Sequence, residues 1–362
     1  MKSIISKVLL KSEAGVKSLL GGVVHAVFTM FWIIIWLPVA VHMAFSESYY
    51  PELKRKNTVL RLVENVTWVL KYHRANTFYT LYGLDIAGSN DGAFIDEKGF
   101  WKGLYRLNYS KGVAGQVCLL RDKLLFSKYM ESNGMPVPEV FALINDGEIY
   151  NTRFEKILLE DLKNETEYFV KDIDGECASF VKKVHGYNEL CQLVEQKKKG
   201  RFFLQRAIHQ ADAMNQLNPH AVNTLRVVTV YNGGNPIVLS ALLRVGTTHS
   251  GNVDNWAAGG LAIGIQENGH LKKYGMHKPG HGLKTSIHPD TGIEFEKFEV
   301  PMLKEALDCA CKAHKCFYEI GAIGWDIAIS VEGPVFIEGN DNFEITLMQA
   351  CDRPLKRAWE DI

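Results

Sequence analysis

Near its C-terminus the chain alternates apolar and polar residues with the period of a β-strand. The alternation runs along Ile327–Val331 and resumes along Val335–Ile337, and the intervening Glu332–Pro334 contains turn-forming residues. A second stretch of this kind lies at Asn223–Tyr231, and a glycine-containing turn folds it back into Ile237–Val245. Each of the two patterns predicts a β-hairpin.

Three polar residues lie towards the ends of the C-terminal hairpin. Pairing of its strands brings Asp326 close to Glu338, and Asn340, two residues further on, points the same way. Two carboxylates and an amide that converge form an oxygen-rich pocket, the kind that holds magnesium beside phosphates. A hairpin with solvated acids at its ends explains the same pattern, so the hairpin alone leaves both alternatives open.

The remaining periodic stretches predict a mixture of helices and strands. Helices are expected at Thr58–Tyr82, Leu120–Met130 and Pro301–Glu319, and further strands at Glu167–Lys171, Phe180–Val184, Arg201–Ile208 and Leu261–Ile265. The loop between the first two of these strands contains small residues, and its backbone amides can cover a triphosphate. An ordinary hairpin is the alternative for that loop.

One lysine and one pair of arginines are candidates for anion binding. Lys123 lies at the start of a predicted helix, where it is either a phosphate contact or a solvated charge. Arg226 and Arg244 are near neighbours across the predicted hairpin. Two arginines presented together suit phosphate or carboxylate recognition, and a cross-strand pairing with local acids is the alternative.

An apolar run near the N-terminus favours membrane attachment. No Asp, Glu, Lys or Arg occurs between Ser18 and Ser46, and the core of the run, residues 23–45, is long enough to cross a bilayer. Three structures fit: a spanning helix, a re-entrant or interfacial hairpin bent at Pro38, and a buried helix. Polar residues within the run and the proline weaken the first, and basic residues on both sides leave the orientation open.

Composition narrows the class of protein. With 362 residues the chain is long enough for two or three domains, and its 41 basic and 41 acidic residues give no general attraction to nucleic acid. Seven cysteines, an odd number, favour a reducing compartment over a disulfide framework. Cys309, Cys311, His314 and Cys316 are scattered around a predicted helix, which favours ordinary thiols over a zinc site.

In this order the features resemble the ATP-grasp superfamily, and most nearly its branch found with sugar-transfer and cell-surface polysaccharide genes, including proteins related to teichuronopeptide biosynthesis. The resemblance covers about Phe78–Gln349. Its motifs are Tyr82–Asp85, Asp122-Lys123 with Gly134–Pro138, Phe169–Lys171, Asn223–Thr229, Asp254-Asn255 with Gly259-Gly260, Gly324–Ala328 and Ile337–Asn340. The closing pattern Asp-x11-Glu-x-Asn is the most specific of them.

The resemblance implies a role for each candidate residue. Lys123 and Lys171 correspond to the lysines that contact ATP phosphates, and Asp326, Glu338 and Asn340 to the magnesium ligands. Arg226 and Arg244 are expected to hold the γ-phosphate or an acyl-phosphate. The remaining nucleotide-binding positions are Asp174 and Gly175 in a flap that extends to Ser179, and Gln205, Arg206, Ala207 and Ile208 in the hinge where adenine binds.

The resemblance also implies an α+β fold of the ATP-grasp type, with two subdomains that clamp ATP and an N-terminal helical, apolar extension. The expected segments are an extension at 1–57, a helical lead-in at 58–118, a lysine and flap subdomain at 119–205 and a metal-binding catalytic subdomain at 206–352.

The implied activity is ATP-dependent ligation. The enzyme would form an acyl-phosphate from a carboxylate and join it to an amine or a thiol, using ATP with Mg²⁺, or Mn²⁺ in its place, in cell-surface polysaccharide biosynthesis. Its substrates are expected to be small molecules, some of them linked to sugars. Alternatives are a kinase of a sugar or alcohol, and a membrane-tethered nucleotide-binding partner of glycosyl-transfer enzymes. We expect a cytoplasmic catalytic body at the inner face of the cell membrane.

Overall fold

A computed structural model describes residues 19–109, 114–173, 181–196, 199–251 and 253–362. The chain divides into two compact units, Met1–Asp91 and Gly92–Ile362. The division falls inside the stretch 58–118 that the sequence assigns to a helical lead-in.

The first unit contains a long apolar helix, α1, at Leu19–Phe45, and the helix continues through Pro38 without a break. Its C-terminal half packs against the rest of the unit around a small cluster of Ala40, Val69 and Ala75. Within the part of the chain that the structure describes, none of the helices has the length and apolar character needed to cross a membrane.

A second helix of this unit, α2, occupies Thr58–Tyr72 and begins at a well-formed cap. The Asn57 side chain accepts a hydrogen bond from the backbone N–H of Leu60, which satisfies one of the free amides at the helix start. His73 follows the last helical residue and terminates the helix through its left-handed backbone conformation (φ 56°). The predicted helix to Tyr82 is therefore too long, because the chain continues in turns after this residue.

The second unit contains eight helices and thirteen strands among its described residues. The helices are α3 (Glu97–Tyr109), α4 (Ala114–Arg121), α5 (Lys123–Ser132), α6 (Gly186–Gln196), α7 (Asp212–Leu217), α8 (Leu303–Cys316), α9 (Thr346–Cys351) and α10 (Lys356–Glu360). The strands are β1 (Val140–Asn145), β2 (Glu148–Asn151), β3 (Lys156–Ile157), β4 (Glu167–Asp172), β5 (Val181–His185), β6 (Arg201–Arg206), β7 (Thr224–Asn232), β8 (Asn235–Val245), β9 (Leu261–Ile265), β10 (Leu271–Met276), β11 (Lys284–Thr285), β12 (Ala322–Ser330) and β13 (Gly333–Asn340).

The first six strands form an antiparallel sheet in the order β3-β2-β1-β6-β4-β5. Its core is built from alternate residues of the central strands, including Tyr168 and Val170 of β4 and Leu204 of β6, against Leu190 of α6. Burial alternates along β4, whereas Phe202–Gln205 of β6 are buried continuously because both faces of that strand are covered. The predicted strand at Arg201–Ile208 is two residues shorter in the structure.

The other seven strands form a second antiparallel sheet in the order β11-β10-β9-β8-β7-β12-β13. Helix α8 packs on it through three buried alanines, Ala306, Ala310 and Ala313, whose small side chains allow a close approach. Trp325 of β12 is fully buried in the same core. Two antiparallel sheets with helices around them confirm the predicted α+β class.

The C-terminal hairpin is confirmed, with one correction to its turn. Ser330 pairs with Gly333, so the turn consists of Val331 and Glu332 alone. Val331, predicted to lie in the first strand, is 61% exposed. All of β12 is buried on both faces, so the alternation of side chains along it does not separate solvent from core.

Candidate active site

The structure brings the three predicted metal ligands together. Asp326 pairs directly with Glu338 across β12 and β13, and Asn340 pairs with Gly324 two positions along. The Nδ2 of Asn340 lies 3.3 Å from the Oε1 of Glu338 and donates to it. Asp326 is 2% exposed, so its carboxyl group is almost entirely withdrawn from solvent.

Two arginines contact the Asp326 carboxylate, one from β7, which pairs with β12, and one from β8, the next strand along the sheet. Arg226 of β7 pairs directly with Asp326, so Arg226, Asp326 and Glu338 form one row across three strands. The Nε of Arg226 lies 2.6 Å from Oδ1 of Asp326 as an ion pair without hydrogen-bond alignment. Its terminal nitrogen is 3.1 Å from Oδ2, and a terminal nitrogen of Arg244 is 2.9 Å from the same atom. Arg226 and Arg244 are therefore near neighbours, as predicted.

Two further residues orient Arg244, and the sequence reasoning gave them no role. Thr224 pairs with Arg244 across β7 and β8, and its hydroxyl accepts hydrogen bonds of 3.1 and 2.9 Å from that guanidinium. Asp254 contacts Arg244 at 3.0 Å and accepts a hydrogen bond from the Thr224 hydroxyl. Thr224 and Asp254 both lie in motifs that carry the family resemblance, and those motifs were the signal in the sequence from which their role could have been inferred.

The electrostatic environment shifts the pKa values of the two carboxyl groups in this row in opposite directions. Burial raises the pKa of Asp326 to about 7 although both arginines oppose the shift, and the adjacent Glu338 raises it further. Burial would also raise the pKa of Glu338, but the hydrogen bond from Asp326 and the two arginines lower it to about 2. The pair therefore retains one shared proton to unusually high pH, because two buried carboxylates repel each other when both are ionised.

This donor set fits a divalent cation. A cation between Asp326 and Glu338 would remove the repulsion that otherwise keeps a proton on the pair. Because the Asn340 amide nitrogen donates to Glu338, its oxygen remains available as a third hard ligand. Among the described residues, no group of three or more His, Cys, Asp or Glu side chains is arranged to hold a metal ion. The candidate set therefore depends on its asparagine.

The two predicted phosphate lysines lie within electrostatic range of each other. Lys123 is the first residue of α5, which Asp122 caps, and its N–H donates to the carbonyl of Ile173. Lys171 of β4 donates from Nζ to Oε1 of Gln205 at 2.7 Å. The Lys171 side chain is partly accessible by surface area but densely surrounded by protein, and this burial lowers its pKa to about 8, with a further contribution from Lys123.

The predicted adenine hinge spans the end of β6. Gln205 is 2% exposed and donates to the carbonyl of Pro138, so its side chain holds Lys171 in place and does not face solvent. The neighbouring side chain, Arg206, turns outward and forms ion pairs with Glu139 and Glu165. The last two hinge positions, Ala207 and Ile208, follow the strand and are partly buried; the predicted flap residues Asp174 and Gly175 lie outside the described residues.

Arg121 and Asp341 form a second ion pair that was not foreseen from the sequence. Asp341 follows Asn340, and its carboxylate, 4% exposed, accepts hydrogen bonds from Arg121 at 2.7 and 3.1 Å. The hydroxyl of Tyr109 donates to the same carboxylate. No local periodicity announces these contacts, because the partners lie more than 200 residues apart in sequence.

Comparison with known proteins identifies the family. The model of the family described as sugar-transfer associated ATP-grasp matches residues 106–358. This match spans well over half of the chain and includes every candidate residue above. It confirms the resemblance drawn from the motifs. A search of curated proteins gives no significant match.

Solved structures of ATP-grasp proteins are similar at low identity. The N5-carboxyaminoimidazole ribonucleotide synthetase from Thermotoga maritima is 14% identical, with 66% of this chain and 48% of that chain covered at a TM-score of 0.38. The L-amino acid ligase from Bacillus licheniformis is 15% identical, with 63% and 42% covered at a TM-score of 0.37. This chain spans less than half the length of either protein, and scores this low carry no argument about activity. On the family match, the chain belongs to the sugar-transfer-associated ATP-grasp family.

Proposed function

We propose that this protein is an ATP-dependent ligase that activates a carboxylate as an acyl-phosphate and joins it to an amine or a thiol. The observation that supports this most strongly is the row of Arg226, Asp326 and Glu338 across three adjacent strands. It places two carboxylates and a cationic group at one point of a sheet, the combination that a metal–triphosphate complex needs.

Each candidate residue has a distinct task in this reaction. Lys123 and Lys171 offset the charge of the transferred phosphoryl group and hold it in place. Arg226 and Arg244 stabilise the negative charge that develops when the substrate carboxylate attacks the γ-phosphorus. Asp326, Glu338 and Asn340 would hold Mg²⁺, which would supply Lewis-acid neutralisation of the phosphate oxygens.

The second half of the reaction is displacement of phosphate by the amine. The acyl-phosphate carbon is attacked by the amine nitrogen, the C–O bond to phosphate breaks, and the nitrogen loses a proton. No protein nucleophile is required in either half, so catalysis depends on positioning and on electrostatic stabilisation.

The activity is tested by following ADP release from Mg-ATP with panels of carboxylic acids and amines. Release that requires an acid and an amine together supports the ligase. Release with a sugar or alcohol alone would identify a kinase and contradict the proposal. Asp326→Asn and Glu338→Gln are expected to abolish release, whereas Glu332→Gln, an exposed acid in the turn of the same hairpin, serves as the matched control.

The biological setting is part of the proposal. The family description, sugar-transfer associated ATP-grasp, supports a substrate linked to sugar transfer. We propose that this substrate is a precursor of a surface polysaccharide, that glycosyl-transfer enzymes are partners, and that the protein acts at the cytoplasmic face of the membrane. Cells that carry Asp326→Asn should lack an amide-linked substituent on that polysaccharide. Unchanged polysaccharide composition would contradict this setting while leaving the ligase chemistry to the ADP assay.

A further inference from the structure

Helix α2 in the first unit has its apolar stripe turned outward. Val59, Val63 and Leu70 are 72%, 54% and 56% exposed, and their spacing of four and seven residues places them on one face. Arg61 and Asn65, on the other side of the helix, are buried. A surface helix of a water-soluble unit ordinarily buries its apolar stripe and exposes its charges. The arrangement of α2 is the reverse.

Specific contacts fix this rotation of α2. The carboxylate of Glu64 accepts hydrogen bonds from Lys56 at 2.8 Å and from the Tyr79 hydroxyl at 2.6 Å. The bond from Tyr79 joins Glu64 of α2 to another segment of the unit, so turning the helix to hide its apolar stripe would break it. The same rotation would move Arg61 and Asn65 out of the interior. The exposure of the stripe is therefore built into the fold.

Helix α1 has a similar exposed face. Phe31, Ile34 and Phe45 are 56%, 68% and 62% exposed, and their spacing also places them on one side of the helix. The side that packs into the unit carries Ala40 and Ala44, both fully buried. Phe31, Ile34 and Phe45 thus face outward, whereas Trp36 and Val39 pack partly against the buried cluster.

The charge of the first unit is complementary to an anionic surface. Met1–Asp91 contains ten basic and six acidic residues, a net charge of +4 in a chain whose total is zero, and +3 of this charge lies in residues 1–18, outside the described residues. Lys54 precedes α2, and Lys71 and Arg74 lie at its C-terminal end; all three are exposed. The Arg74 guanidinium lies 5.5 Å from the ring centre of Trp36. Cations beside tryptophan at the ends of apolar helices are typical of the membrane–water interface.

We infer that the exposed stripes of α1 and α2 dock on the surface of an anionic lipid bilayer. The apolar side chains enter the boundary between headgroups and acyl chains, and the cations contact the headgroups. The α2 stripe offers aliphatic side chains without hydrogen-bonding groups, whereas protein interfaces of ordinary size carry about ten direct hydrogen bonds. A lipid surface can cover this stripe without forming hydrogen bonds to it. This inference is independent of the proposed ligase activity.

Flotation of the full chain with lipid vesicles tests the inference. Vesicles of phosphatidylcholine alone are compared with vesicles that contain about a third phosphatidylserine. The variant Val59→Gln/Val63→Gln/Leu70→Gln removes the α2 stripe. The control Ile237→Gln/Ile287→Gln/Val331→Gln changes three apolar residues of the second unit that are 41%, 45% and 61% exposed. Circular dichroism and light scattering check that each variant is folded and report its oligomeric state.

We expect the wild type and the control to float with anionic vesicles, and the α2 variant to lose about tenfold or more of its partitioning. Equal flotation of the α2 variant, or no flotation of the wild type, would overturn the inference. Equal binding to neutral vesicles would also overturn the inference, because the basic residues would then contribute nothing to membrane binding. A wild-type dimer that the α2 substitutions convert to a monomer, without flotation, would identify a second copy as the occupant.

Discussion

Arg121 donates three hydrogen bonds to the carboxylate of Asp341, at 2.7, 3.1 and 3.2 Å, and so joins two parts of the candidate site. Arg121 lies two residues before the predicted phosphate ligand Lys123, and Asp341 directly follows the predicted metal ligand Asn340. In the proposed ATP site these two ligands approach the triphosphate from different elements of the fold, and we expect the ion pair to fix the spacing between them.

Breaking this ion pair should weaken nucleotide binding without unfolding the protein. Because Arg121 is half exposed, its contact with Asp341 is worth about 1 kcal/mol of folding stability after solvent screening. We expect Arg121→Ala to raise the KM for Mg-ATP about tenfold with a smaller change in the melting temperature. Arg121→Lys should restore part of the affinity. The exposed Arg357→Ala is the control, and an unchanged KM in Arg121→Ala would show that the spacing is fixed by other contacts.

Much of the site could be predicted from the sequence, because its residues lie on strands with clear local patterns. Hairpin pairing predicted that Asp326 lies close to Glu338 and that Arg226 and Arg244 are near neighbours. The contacts of Arg121 with Asp341 could not be predicted, since they depend on how distant segments pack. The role of Gln205 was also missed, because a hinge glutamine that turns back to Lys171 looks the same in sequence as one that faces the nucleotide.

Nucleotide affinity should depend on pH through Lys171. Its pKa of about 8 means that the side chain is cationic below pH 8 and neutral above it. We expect the dissociation constant for Mg-ATP to rise by up to about tenfold for each pH unit above 8. Lys171→Arg, which stays cationic, should bind without this dependence. Lys128→Met, on the exposed side of α5, is the control, and a wild-type affinity that is constant from pH 7 to 10 would contradict the prediction.

Arg244 should matter for the chemical step, and Asp254 should matter through it. Removing one group that stabilises transition-state charge typically costs about 10²- to 10³-fold in kcat, so we expect that loss for Arg244→Ala. Asp254→Asn keeps the shape but weakens the ion pair with Arg244, and we expect a smaller loss of about tenfold. The double variant should be little worse than Arg244→Ala. Multiplicative losses in the double variant would show that Asp254 acts independently of Arg244.

Acid should destabilise the second unit, Gly92–Ile362, through His314. The hydroxyl of Thr229 accepts from the Trp325 indole and lies 2.7 Å from Nδ1 of His314, and Nε2 lies 2.8 Å from the carbonyl of Ile320. This network assigns a neutral ring that donates from Nε2 and accepts at Nδ1. Burial lowers the pKa of His314 to about 4, so the neutral form is the one compatible with the fold.

The lowered pKa of His314 determines the direction in which the free energy of unfolding changes with pH. Above pH 6.5 the histidine is neutral in both states, and between pH 6.5 and 4 only the unfolded chain gains the proton. The free energy of unfolding should therefore fall by about 3 kcal/mol over this interval from His314 alone. Urea unfolding at pH 7 and pH 4.5 measures the change. His314→Asn should be less stable at pH 7 but should lose less stability on acidification; equal losses would contradict the assignment.

The central claim is that Asp326, Glu338 and Asn340 form the metal side of an ATP site, and magnesium-dependent nucleotide binding tests it most directly. Titration of the full chain with a fluorescent ATP analogue, with and without Mg²⁺, requires no knowledge of the other substrates. We predict that Mg²⁺ strengthens binding at least about tenfold in the wild type and in Glu332→Gln, and that this gain disappears in Asp326→Asn and Glu338→Gln. An equal Mg²⁺-dependent gain in all four proteins would contradict the account.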